Sequence, residues 1–268
     1  MQLFDSHIHL ESPRFEADRD LVIARARSAG VTRMMTCGSD WATSQSEVAL
    51  AQIHEGLYAA VGIHPHEASC AVRGESAGPA ASDLDEAVFQ QLARLAGQPK
   101  AMAIGEAGLD YHYDFSPRGC QRAVLERQLA LACELGLPII LHNRESDADL
   151  RRLVDEAPSS LRGVLHCFLS DGAMADWAVA RGLYVGIAGP ITFVNERRLP
   201  QIARRIPLGR LLIETDSPFL APHPKRGRRN EPAYLVHVAG KLAGVLGVPV
   251  DELARRTTEN ACRLFGVA

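Results

Sequence analysis

Residues 138–142 read Pro138-Ile139-Ile140-Leu141-His142, an apolar run closed by an imidazole. Continuous apolarity fits a strand covered on both faces, as in a parallel sheet. The pattern recurs along the chain. Ala101-Met102-Ala103-Ile104-Gly105 leads into Glu106, Val164-Leu165 into His166, and Leu211-Leu212-Ile213-Glu214-Thr215 into Asp216. Near the N-terminus, Leu3-Phe4-Asp5-Ser6-His7-Ile8-His9 delivers two histidines. Five apolar runs thus finish on side chains that can bind a metal.

Strands are expected near 2–8, 31–37, 57–62, 101–105, 138–142, 163–167, 183–188 and 210–215, with helical stretches between them. Gly30, Gly56, Gly97, Gly136 and Gly182 each follow a helical run, where a left-handed residue is favoured. Ser116-Pro117 reads as an N-cap with proline at the first helical position. Eight such units predict an α/β fold, a (β/α)₈ barrel forming one domain over 1–268. An open doubly wound sheet is the alternative, but no early G-x-G-x-x-G turn supports it. A barrel places every strand's C-terminal end on one rim, so the five runs would meet there. Two rim loops are long, His64 to Ser82 and Ser217 to Pro232. A final helix, about 251–265, is expected on the barrel's exterior.

A hydrophobic share of 47% provides for a sizeable core, and a net charge of −3 gives no long-range basic field. Any phosphate binding must therefore be local. The six cysteines form no C-x-x-C pair and predict reduced, mostly buried thiols in a cytoplasmic protein. No signal peptide is expected, and no apolar stretch approaches the roughly 20 residues of a membrane span.

His7 and His9 are two apart, so in a strand they share a face. Glu106 follows so apolar a run that burying it unpaired would be costly. Taken singly, these residues could be hydrogen-bonded core histidines and a salt-bridged carboxylate. Taken together with His142, His166 and Asp216, their shared strand-end position favours a site. Glu214 is assigned to orienting a ligand histidine, with an ordinary buried salt bridge as the other reading. Four histidines and two carboxylates exceed the roughly three protein ligands of one catalytic zinc. They suit two divalent ions sharing a carboxylate, for which Glu106 is the natural bridge. The mixed nitrogen and oxygen set admits Zn²⁺, Mn²⁺, Fe²⁺, Co²⁺ or Mg²⁺. Lysine is confined to Lys100, Lys225 and Lys241, none of which ends a core strand, so a bridging modified lysine is excluded.

Around these ligands, His64 and His66 could donate to a substrate phosphate, or simply flank a turn set by Pro65. The segment Asp110-Tyr111-His112-Tyr113-Asp114 offers rings that stack on a base or cover the rim. Arg144, two residues past His142, suits an anionic group. Lys225-Arg226-Gly227-Arg228-Arg229 could clamp phosphate, with Arg226 and Arg229 as contacts, or be a solvated loop. Cys167 is expected on the face opposite His166, in packing.

These motifs together resemble the TatD family of metal-dependent deoxyribonucleases within the amidohydrolase superfamily. The match rests on Asp5-Ser6-His7-Ile8-His9-Leu10, Gly62-Ile63-His64-Pro65-His66 and Ala103 to Tyr111. It continues through His142-Asn143-Arg144, His166-Cys167-Phe168, Glu214 to Pro218, Arg229 to Pro232 and Thr258-Glu259-Asn260. Leu169-Ser170-Asp171 and Ser146 depart from the family's usual residues, in rim loops. The resemblance implies a TIM barrel with a dinuclear site: His7, His9 and Asp216 on one ion, His142 and His166 on the other, Glu106 between. It implies hydrolysis of DNA phosphodiester bonds, often 3′ to 5′.

The expected protein is a monomeric metal-dependent hydrolase with DNA as its partner, single strands or 3′ ends, and Asp216 as general base. A small-molecule amidohydrolase or lactonase, or an esterase on an aminoacyl bond, is the competing reading, because the fold does not fix the substrate. A non-enzymatic metal-binding protein is the third.

Overall fold

The computed structural model describes residues 1–73 and 83–267. Part of the long loop predicted from His64 to Ser82 therefore lies outside the described residues. The first half of the chain runs β1 (Leu3–Ile8), α1 (Arg19–Ser28), β2 (Val31–Cys37), α2 (Trp41–Ile53), β3 (Leu57–Val61), α3 (Glu86–Ala96), β4 (Ala101–Asp110) and α4 (Arg118–Leu135). The second half runs β5 (Ile139–Arg144), α5 (Asp147–Glu156), β6 (Gly163–Leu165), α6 (Gly172–Ala180), β7 (Tyr184–Ile187), α7 (Arg198–Ala203), β8 (Leu211–Ile213), α8 (Leu235–Leu246) and α9 (Val250–Phe265).

The strands lie in parallel in the order β1 to β8. Beyond β8 the chain returns to β1: the Asp216 amide donates to the His7 carbonyl at 3.0 Å, and the His9 amide to the Ser217 carbonyl at 2.8 Å. The seam that joins the last strand to the first is thus made by segments carrying three predicted ligands. Inside the ring, Phe4, Met35, Ala60, Ala103, Ile140, Val164, Tyr184 and Leu212 pack together, one from each strand. This is the filled interior of a (β/α)₈ barrel. The opposite strand faces, with Leu3, Met34, Leu141 and Ile213 among them, pack on the surrounding helices.

The final helix does more than lie on the exterior as expected. Ala261, Leu264 and Phe265 of α9 join the interior layer, with the Phe265 ring 5.8 Å from that of Phe4. They plug the end of the barrel away from the seam's ligands. Short inward residues such as Ala60 and Ala103 leave that space.

Two boundaries differ from the sequence reading. β4 runs past Glu106 to Asp110, because Gly108 pairs with His142 and Asp110 with Arg144 on β5. α4 begins at Arg118 with Pro117 as its cap residue, while the Ser116 hydroxyl donates instead to the His66 carbonyl. Four of the five helix-following glycines have positive φ; Gly97 has φ −79, and Lys100 turns the chain at φ 72.

Gly108 shows why β4 carries glycine beside the site. A Cβ there would lie 2.0 Å from the His142 carbonyl oxygen, which is backbone and cannot swing away. Gly108→Ala should cost about 1–3 kcal/mol by forcing β4 from β5. Urea unfolding checks this; an unchanged midpoint would show that the strands separate freely.

Candidate metal centre

Glu106 lies near the middle of β4 with its carboxylate 2% exposed. Among the described residues no lysine or arginine reaches it; imidazoles do. Its Oε2 lies 3.2 Å from His7 Nε2 and 3.5 Å from His9 Nε2. Its Oε1 lies 2.8 Å from His142 Nδ1 and 2.7 Å from His166 Nε2. The two oxygens therefore face two different histidine pairs. Asp216 Oδ1 completes the first pair, 3.9 Å from His7 Nε2 and 3.7 Å from His9 Nε2. Asp216 holds this place with left-handed backbone, φ 55. The structure thus gathers all six predicted ligands at one place.

Each imidazole turns its other nitrogen toward an outer neighbour. His9 Nδ1 donates to the Cys37 carbonyl at 2.9 Å, and His142 Nε2 donates to Asp110 Oδ2 at 3.3 Å. His166 Nδ1 faces Glu214 Oε1 at 3.5 Å, and His7 Nδ1 lies 3.4 Å from Cys37 Sγ. A carbonyl or carboxylate can only accept, so Cys37 and Asp110 hold the proton of His9 and His142 on the outer nitrogen, and the charge of Glu214 favours the same for His166. Their inner nitrogens face the site, where His7 and His9 approach to 3.2 Å, as do His142 and His166. Converging lone pairs and carboxylates need a cation between them, and outer acceptors of this kind accompany metal-ligating histidine. The donor set fits divalent ions.

Electrostatics agree. Burial alone would raise Glu106, but the imidazoles around it, His166 foremost, hold it well below the usual carboxylate range. Burial pulls His9 down, yet Asp216 and Glu106 outweigh it and push it up to about 9. His142 and His166 are raised in the same way, burial being outweighed by Asp110 and Glu106 for the first and by Glu106 for the second. The pocket attracts positive charge.

His64 differs. Its Nδ1 accepts the His66 amide at 3.2 Å, so a neutral ring carries its proton on Nε2, 3.4 Å from Glu106 Oε1. Burial draws its pKa down to about 4 against the charge of Glu106, which keeps the ring neutral. It lies deeper than a rim position and presents a donor. His66 Nε2 donates to Asp110 Oδ2 at 2.8 Å. Asp110 therefore links His66 to His142, a role hidden in the sequence because its partners come from other segments of the chain.

The remaining predicted contacts separate. Arg144 is half-buried and makes no ion pair among the described residues, and its charge reaches the Cys167 thiol. His112 pairs with the exposed Glu145 at 2.8 Å. Arg226 lies over the Phe193 ring at 3.9 Å and donates to the Ala221 carbonyl. Arg229 grips both oxygens of Asp18, at 2.7 and 2.8 Å, and covers Phe15. Its fork is already filled. Glu214 accepts from the Cys167 amide and the Ser6 hydroxyl as well as facing His166. Cys167 is not turned away as strand alternation predicts: its φ of 43 breaks the alternation. Burial first, then Asp216, Glu214 and Glu106, push its thiol well above the usual range.

A model of the family described as TatD related DNase matches residues 4–266. The chain belongs to this family. It is 38% identical over 266 residues to the uncharacterized metal-dependent hydrolase YabD of Bacillus subtilis, covering 99% of both chains. It is 40% identical over 272 residues to the 3′-5′ ssDNA/RNA exonuclease TatD of Cronobacter sakazakii, covering 98% of this chain and 97% of the relative. Among solved structures, YJJV, a TatD homolog from Escherichia coli K12, superposes with a TM-score of 0.87 at 28% identity, over 99% of this chain and 98% of that one. The fold and the metal-dependent hydrolase class read from the sequence are those of the family. No single helix among the described residues is long and apolar enough to cross a membrane.

One buried acid beside the site escaped the sequence reading. Glu47 of α2 is fully buried; its Oε1 accepts the Glu11 amide at 3.1 Å, and its Oε2 has no hydrogen bond. Burial raises it from 4.5 to about 8, against a Thr36 hydrogen bond that favours the charged form. The folded chain thus holds a proton that the unfolded chain releases between about pH 4.5 and about pH 8. The stability it contributes is present below that window and is lost as pH rises through it. Glu47→Gln keeps the acceptor for Glu11 and should flatten the decline. Urea midpoints at pH 5 and pH 8.5 test this; a fall as steep as in the parent protein would contradict it.

Proposed function

We propose that this chain hydrolyses phosphodiester bonds of single-stranded nucleic acid, DNA first, from the 3′ end, with two divalent ions held by His7, His9, Asp216, His142, His166 and Glu106. One observation carries the reading: the two Glu106 oxygens face separate histidine pairs at 2.7–3.5 Å. The nuclease activity printed for the Cronobacter relative supports the substrate class. We take the ions as Zn²⁺, Mn²⁺ or Mg²⁺. Bound there, they polarise a phosphoryl group and lower the pKa of water.

The chain's own residues do the rest. Asp216 accepts a proton from the attacking water as general base. His64 offers its Nε2–H to a phosphate oxygen in a pocket where that donor is fixed in advance. Arg144, with its guanidinium free among the described residues, offsets the phosphate's charge. Asp110, Glu214 and the Cys37 carbonyl hold the imidazoles in the ligating tautomer. Every member of the site comes from one chain, so a monomer of one domain suffices. Cysteines that form no C-x-x-C pair suit the cytoplasm.

Glu106→Ala should reduce metal-dependent cleavage of end-labelled single-stranded DNA by more than about 100-fold, since even outer partners of metal ligands cost 10–100-fold. Bound metal, counted by elemental analysis, should fall from two ions per chain. Full activity in that variant would remove the mechanism.

Arg144→Ala should lower the salt slope of single-strand binding by about 0.7, the share of one phosphate contact. Arg229→Ala should leave that slope unchanged and lower the thermal midpoint, because it leaves Asp18 with Arg25 alone. A reversed outcome would move the phosphate contact to the basic loop.

A further inference from the structure

The exposed aromatic rings are grouped around the metal centre. Phe219, 50% exposed, meets the His9 ring edge-on with centroids 5.9 Å apart. Phe115, 68% exposed, meets the His66 ring at 4.7 Å, and Tyr113, 56% exposed, stacks on Phe115 at 5.4 Å with planes 22° apart. His9 belongs to the Asp216 half of the ligand set. His66 reaches the other half through Asp110, which also holds His142. One half of the centre therefore has an exposed ring against His9, and the other has one linked to His142 through His66 and Asp110.

Both rings sit on fixed backbone. Asp110 Oδ1 accepts the amides of His112 and Tyr113, at 3.0 and 2.9 Å. The Phe219 amide donates to the Asp216 carbonyl at 2.8 Å, and its carbonyl accepts from Asn230 at 2.6 Å. Rings held in advance lose little freedom when a flat partner settles on them. Tyr111 is no such surface, since its hydroxyl is bound to Asp149 at 2.6 Å and Arg118 covers its ring at 4.3 Å.

We propose that Phe219 and the Tyr113–Phe115 stack are two nucleobase platforms, which hold the nucleotides on either side of the scissile phosphate. The proposal rests on the nuclease reading above and names what makes the site select single strands. Every base has a π-face, so such platforms tolerate any sequence. A paired base has both faces covered by its neighbours and cannot use them. Arg14, 5.9 Å from the Phe219 centroid and without an ion pair among the described residues, adds a cation beside that platform.

The test is steady-state cleavage, by the metal-loaded enzyme, of single-stranded DNA carrying normal or abasic residues at the last two 3′ positions. The parent enzyme should show a KM about tenfold higher for abasic ends, with kcat little changed. Phe219→Ala and Phe115→Ala should each raise KM for normal DNA to a similar degree and no longer distinguish the abasic position they serve. Phe219→Trp and Phe115→Trp should restore the distinction, which a merely structural role would not. Equal kcat/KM on normal and abasic ends, or alanine variants indistinguishable from the parent, would overturn the platforms and leave the nuclease standing. Absence of cleavage of any nucleic acid would overturn both.

Discussion

A carboxylate 2% exposed, deep in a parallel sheet and without an arginine or lysine beside it, is the constraint from which the site follows. Burying Glu106 as a lone charge would cost several kcal/mol. Here the compensation comes from imidazoles on β1, β5 and β6, arranged on both of its oxygens. Imidazole is a conditional cation, so the pocket is balanced only while it holds protons or metal. That conditional balance separates it from a buried salt bridge, whose charge is permanent. An arginine at any of these positions would stabilise Glu106 more simply and leave nothing for an ion to do.

The barrel supplies the geometry. His7 and Asp216 are some two hundred residues apart, yet the hydrogen bonds that close β8 onto β1 run between them. The seam brings together His7, His9 and Asp216, half of the proposed ligand set. The buried pairing of Asp5 with Thr215, at 2.6 Å through the hydroxyl and 2.9 Å through the amide, reinforces the same closure. The site is thereby tied to the global fold rather than to a mobile loop, as positioned chemistry requires.

The convergence of the six candidate ligands was legible because they lie at the ends of apolar strand runs, a signal carried by a few adjacent residues. What stayed hidden depends on contacts between elements. The double role of Asp110 requires His66 and His142, which no local pattern connects to it. Cys167 escaped because a single left-handed residue cancels the strand alternation used to aim it. The filling of the barrel's end by Phe265 follows from small inward residues on distant strands, which become a gap only after closure. Arg229 looked like part of a basic loop, and only the position of Asp18 shows that its fork is occupied. The motif resemblance reached the family and the reaction class, but it could not say which histidine carries which proton.

That last point bears most on the chemistry. Five imidazoles approach the Glu106 carboxylate, and nothing in their residue type tells a ligand from a donor. The outer partners do. Cys37 and Asp110 present oxygens that can only accept, so His9 and His142 turn lone pairs inward, and Glu214 faces His166 in the same sense. The His66 amide can only donate, so His64 turns an N–H inward. On the proposed reading, one backbone amide set against acceptor oxygens sorts chemically identical rings into those that would hold a cation and one that would meet the substrate. A phosphate entering the pocket would find in His64 a donor that is already neutral and need not change protonation state to receive it.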